Sequence, residues 1–295
     1  MNASDDYRAK LLNEIQGDDT ESSGEDDPIQ ELSGDEEKIQ RLIEALRDPS
    51  VPTSAKKSSL AQLSVISIFS SVLRRKMPDY VNALRGLIED ADGSLRVQAC
   101  GTLSVMKDEV VQQRLQADLE SEKPETERIV PTHQAIGMLG FDEKALDYGV
   151  LKRIVQNPPS GESLVAAIRH LPASADSYEL LSKVLENDSN PLAARALVPD
   201  RISQIDPRGF LALVARLLER RKQVVDLAPY LARAVGEIEA RSEERGDFTE
   251  SVAMSDSAGD LADEIAKAKS SFADLMREEP SEPLRRAAQK FLSLE

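Results

Sequence analysis

Apolar residues recur along most of this chain with a helical period, and the stripes come in pairs. Ile39, Leu42, Ile43 and Leu46 form one stripe, Asp48-Pro49-Ser50 interrupts it, and a second follows through Leu60 and Leu63. Val81, Leu84, Leu87 and Ile88 then lead through Asp90-Ala91-Asp92-Gly93 to Leu95, Ala99, Cys100 and Leu103. The third pair has Leu115 and Leu119 before Ser121 and resumes at Ile129, Ala135, Ile136 and Leu139. A fourth sets Leu151, Ile154 and Val155 ahead of Asn157-Pro158-Pro159, with Leu164, Ala167, Ile168 and Leu171 after it. In the fifth, Leu180, Leu181, Val184 and Leu185 precede the turn Asn187–Pro191, and Ala193, Ala194 and Leu197 follow. The sixth runs Leu211, Val214, Leu217 and Leu218, then Val224, Val225, Leu227 and Leu231. Each pair predicts a helix, a tight turn and an antiparallel helix.

The last apolar residue of each first helix sets the register. Leu46, Ile88, Leu119, Val155, Leu185 and Leu218 are separated by 42, 31, 36, 30 and 33 residues. Two helices of about three turns each, with a short connection, occupy that length. Asp or Asn after a first helix bonds local backbone, Asx or Ser caps the second, and Pro49, Pro158 and Pro191 stop the first from continuing. The stretch Val65–Lys76 makes the first pair overlong and predicts either an added helix or an extended second one. A helix pair of this length cannot bury its apolar face alone. The expected fold is therefore all-α, an α-solenoid of six or seven stacked pairs.

The ends read differently. Residues 1–35 form an acidic arm, broken by Gly and Ser, that buries too little apolar surface to offset its ordering entropy and reads as largely disordered. Within it Tyr7, Leu11, Leu12 and Ile15 make one short helical stripe, which reads either as a transient helix or packed end-cap, or as a docking peptide. The solenoid is expected over 36–240 and a flexible polar linker over 241–260. A closing helix pair over 261–295 follows, with Leu261, Ile265, Ala268, Phe272, Leu275 and Met276, then Leu284, Ala287, Ala288, Phe291 and Leu292. It reads as the cap that covers the last apolar face.

Composition agrees with helices. The 295 residues are 40% hydrophobic but only 4% aromatic, without Trp, so the core must be Leu, Ile, Val and Ala. Against 37 Lys and Arg stand 53 Asp and Glu, a net charge of -16, which argues against nucleic acid as partner. Cys100 is the only cysteine, excluding an intramolecular disulfide. The early acids Asp5, Asp6, Glu14, Asp18 and Asp19 do not suit a signal peptide, and no apolar run suits a membrane span. A cytoplasmic protein with no membrane partner is expected.

The unit Leu84–Leu103, with its Asp-x-Asp turn followed by Leu95-Arg96-x-x-Ala99-x-x-x-Leu103, resembles a HEAT repeat of the short bacterial type. The resemblance covers roughly Glu36 to Leu231 and returns at the C-terminus. Only this second unit carries the expected Arg beside an Asp-rich turn. The resemblance implies a superhelix whose second helices line the concave side.

Enzymes built on such repeats announce themselves through ligands. Iron hydroxylases of the HEAT class use repeated His-Glu pairs, whereas His133 precedes Gln134 and His170 precedes Leu171. Measured from their repeat anchors, the two His are five positions out of register, about 140° on a helix, and do not converge. HEAT-like DNA glycosylases need a basic, aromatic groove. The phycobilin lyases need an aromatic-rich pocket. Neither is visible. Cys100 aligns with Leu60, Ile136, Ile168 and Ala194, all inward positions, and reads as core. No phosphate loop or Ser/His/Asp grouping is present, so no catalytic, metal or cofactor-binding residue is expected.

Cations recur on the second helices: Lys56, Lys57, Arg96, Arg128, Arg169, Arg195 and Arg201. They read either as a solvated face or as a basic inner groove for an acidic peptide or protein surface, with the chain's own arm as one candidate occupant. The triplets Arg74-Arg75-Lys76 and Arg220-Arg221-Lys222 fall at helix ends, where the partial negative charge of the terminus favours them. The expected function is a non-enzymatic scaffold or adaptor that binds another protein. The alternative is an accessory or lyase-like HEAT protein assisting a cofactor or enzyme.

Overall fold

A computed structural model describes residues 36–66, 70–121, 123–140, 145–220, 224–249 and 256–278. Among these the chain is helical, with no strand. The acidic arm over 1–35 and the helix expected around Leu284–Leu292 lie outside the described residues. The chain divides into two compact units, Met1–Leu146 and Asp147–Glu295, a boundary inside the span 36–240 that the sequence pattern groups together.

In the first unit α1 (Glu36–Arg47) turns back into α2 (Thr53–Ile66), and α3 (Ser71–Arg75) is a short added helix. It accounts for the overlong first pair, and Ser70 starts it by accepting from the Leu73 N–H. Then come α4 (Met77–Gly86), which closes on a 3-10 turn, α5 (Gly93–Val105), α6 (Glu109–Glu120) and α7 (Thr132–Leu139). Besides chain neighbours, α1 packs on α4, α2 on α5, and α5 on α7. The predicted stripes are the faces that meet: Ile39, Leu42, Leu46, Leu60, Leu84, Leu95, Leu103 and Leu139 are all buried.

The second unit holds α8 (Tyr148–Gln156), α9 (Gly161–His170), α10 (Ala175–Glu186), α11 (Leu192–Arg195), α12 (Val198–Ile205), α13 (Pro207–Leu218), α14 (Ala228–Thr249) and α15 (Asp256–Glu278). Packing again skips one element: α8 meets α10, α9 meets α11, α10 meets α12, α12 meets α14 and α13 meets α15. Two details differ from the sequence expectation. The fifth second helix is split into α11 and α12, because Pro199 has no N–H to donate to the Arg195 carbonyl. α14 continues to Thr249 and α15 already starts at Asp256, so helix enters both ends of the predicted linker. Within residues 241–249, Arg241, Glu243, Glu244 and Arg245 are good helix formers.

Capping follows the Asx and Ser residues. Asp92, Asp108, Asp147, Ser160 and Asp206 each accept from the backbone N–H three residues on, at 2.8–3.1 Å. The end of α5 is less usual. Asp108 N donates to the Leu103 carbonyl and Lys107 N to the Ser104 carbonyl, leaving Lys107 left-handed at φ 56°. Glycine is the ordinary occupant of that position, since a Cβ crowds the backbone there. Lys107→Gly should therefore raise stability by about 0.5–1 kcal/mol. An unchanged or lower urea midpoint at constant slope would count against it.

Candidate protein-interaction groove

The seven cations singled out by the sequence are placed as follows, and most are engaged within the chain. Lys56, buried in α2, lies 3.6 Å from Asp90. Its neighbour Lys57 donates to Asp92. That bond, after the stronger one from the Leu95 N–H, holds the Asp92 carboxyl below its ordinary range. Arg96 on α5 spans two connections, donating from Nε to the Ile129 carbonyl at 2.9 Å and from Nη1 to the Asp90 carbonyl at 2.8 Å. Arg128 lies in the connection before α7 rather than on a helix, and donates to the Asp118 and Ser121 carbonyls at the end of α6. Arg195 does the same for α10, reaching the Leu185 carbonyl at 2.9 Å and Asp188 at 2.7 Å. Arg201 donates to the Leu171 and Arg169 carbonyls at the end of α9. Arg169 alone is exposed, and its side chain has no hydrogen bond or ion pair among the described residues.

The contacts of Arg128, Arg195 and Arg201 share a chemistry. A helix ends in carbonyls without intrahelical donors and carries partial negative charge there, so a guanidinium from the next element satisfies both. Arg220 likewise reaches the Glu186 carbonyl at the end of α10, while side-chain ion pairs run from Arg47 to Asp79, Arg233 to Asp200 and Lys269 to Glu239. Together with Lys56, Lys57, Arg96 and Arg201, they join residues 30–35 apart in sequence.

Other chemical groups are quiet. Burial pushes the Cys100 thiol up to about 11, so it is protonated at neutral pH. His170 is held below its ordinary value by burial and by Arg201 and Arg169. Among the described residues no three His, Cys, Asp or Glu side chains are grouped to hold a metal ion. No described helix is long and apolar enough to cross a membrane.

The surface feature that stands apart is a groove of about 440 Å³ between α2 and α5. Leu60, Ala61 and Ser64 form its α2 wall. Gln98, Gly101, Thr102 and Val105 form the α5 wall, at i, i+3, i+4 and i+7. None of the seven is charged. Val105 is 66% exposed, and Val65, next to Ser64, is 45% exposed. A Cβ at Gly101 would meet Met138 Cε of α7 at 3.7 Å, an ordinary contact distance. Two other hollows carry charge: one beside α7 holds Arg96, Arg128 and Glu125, the other, between α13 and α15, Glu219, Lys267 and Asp274. Sequence reasoning missed the α2–α5 groove. Its signal was a second α5 stripe, uncharged and small, to one side of the core stripe Leu95, Ala99 and Leu103.

Compared with known proteins, the chain matches no family model, no curated protein and no solved structure.

Proposed function

We propose that this chain is a solenoid of HEAT-like helix pairs that serves as a non-enzymatic, cytoplasmic protein-interaction scaffold, with the α2–α5 groove as its docking surface. The carrying observation is that groove: seven uncharged lining residues, with exposed Val105, on a chain in which 31% of residues are charged. Apolar surface left in water favours burial against a partner. Support for the stack comes from α2 packing on α5 and α5 on α7, and from polar bridges that recur at one repeat length. The engaged cations are braces between elements in this reading. Selection of the partner then rests on apolar fit, as when an amphipathic segment lays two or three side chains into a groove.

The test is affinity capture with the full chain as bait. Val105→Asp and Gly101→Arg should each lower retention of wild-type partners by at least about tenfold, a loss of roughly 1.4 kcal/mol. Capture should survive raised salt, because no ion pair carries it. Identical retention by wild type and both variants, with helicity preserved, would sink the reading.

A further inference from the structure

We infer that Arg169, His170 and Arg201 form a second binding point, on the second unit, for a doubly charged oxyanion of the phosphate-monoester type. It goes beyond the α2–α5 groove, and neither site needs the other.

Placement is the first argument. The Arg201 guanidinium, carried on α12, donates to the carbonyls of Arg169 and Leu171, the residues on either side of His170. Two arginines and an imidazole thus meet where α9 ends. The carbonyls of that helix end repel an anion when bare, and here Arg201 covers them. It spends one N–H of each terminal nitrogen there and is only half-buried, so it is not sealed from the surface.

Missing countercharge is the second. Arg169 is exposed, with no hydrogen bond or ion pair among the described residues. Arg201 meets carbonyls. Asp200, beside it in the chain, pairs with Arg233 instead. Although the chain has 53 acids to 37 Lys and Arg, the positive charge at this point is left unmatched. Guanidinium forks beside an imidazole suit a tetrahedral dianion better than a single carboxylate. A net charge of -16 repels nucleic-acid backbone, so the fitting ligand is one phosphoryl group on a protein partner.

The surroundings of His170 are the third. Burial, then Arg201, then Arg169 hold its imidazole below the ordinary value. Of the helices packed on α9, α8 carries Arg153 and Lys152, the latter paired with Asp176, and α11 carries Arg195, paired with Asp188. A bound dianion offsets the two arginines, so His170 takes up a proton as the anion arrives. The anion binds the charged ring better. Affinity therefore rises as pH falls through the interval between the free and bound midpoints, about tenfold for each pH unit that separates them.

The chain has two histidines, so His133→Gln in the full-length protein leaves His170 as the single imidazole signal in proton NMR. O-phosphoserine should raise its titration midpoint by about half a pH unit or more over chloride at equal ionic strength, and acetate should not. Adding Arg169→Gln should abolish the rise with circular dichroism unchanged, because Arg169 is exposed and unpaired. Sulfate is the free-ion arm. An equal rise in sulfate assigns the site to the tetrahedral dianion whatever carries it, and no rise there assigns it to the monoester. The inference is overturned by no rise with O-phosphoserine, a rise that survives Arg169→Gln, or an equal rise in acetate.

Discussion

Leu103→Asp unfolds the first unit and leaves the helices of the second protected. Leu103 is fully buried in α5, and α5 packs against α2, α4, α6 and α7. Removing a buried leucine side chain costs about 2–5 kcal/mol in lost packing. A carboxylate there would also be desolvated without a partner, at several kcal/mol more, roughly. Together these match or exceed the usual stability of a domain, about 5–15 kcal/mol. Hydrogen exchange followed by mass spectrometry separates the two units directly. Protection should disappear over 36–140 and persist over 148–218, with a partial loss of helical dichroism. Near-wild-type protection across α5 would refute the assignment of its inward face.

The periodicity of this chain made its helices legible because each buries one stripe and the stripes carry almost all of the core. Leu84, Leu95, Leu103, Leu164 and Leu211 could be placed inward from spacing alone, and they are buried. Caps were legible for a related reason, since Asp and Ser at a helix start act on backbone only three residues away. Local exceptions were harder. The stripe Ala193, Ala194 and Leu197 ends at Leu197 and shows neither the break at Pro199 nor α12 beyond it. The segment 241–249 shows no apolar stripe, yet its residues extend a helix that packing has already started.

The cations show where pattern reading stops. Sequence gives the position of Arg96, Arg128, Arg195 and Arg201 relative to the repeat anchors. It does not give the carbonyls they meet, Ile129 in a connection and Asp118, Leu185 and Leu171 at helix ends, because each comes within reach only through the tertiary path of the chain. The groove was hidden by the opposite problem. Ala61, Ser64, Gly101 and Thr102 are unremarkable one by one, and become a surface only when α2 lies against α5.

The largest single contribution among these cations is expected from Arg195, whose side chain is only 8% exposed. Its Nε donates to the last turn of α10 and its terminal nitrogen meets Asp188, tying the α10–α11 connection from the inside. Arg195→Met keeps the aliphatic stem but leaves the Leu185 carbonyl without this donor. An unsatisfied buried acceptor costs about 1–3 kcal/mol, and loss of a cation at a helix C-terminus adds about 0.3–1 kcal/mol. At roughly 2–4 °C per kcal/mol for a chain of this size, melting of the second unit should fall by about 5–10 °C. Asp188 is 41% exposed and regains water when the guanidinium leaves, so Asp188→Ala alone should cost under about 1 kcal/mol. The comparison decides what the arginine is for. Equal losses from both substitutions would make the ion pair the working element and the carbonyl contact incidental. A large loss from Arg195→Met beside a small one from Asp188→Ala would identify the guanidinium as the cap of α10.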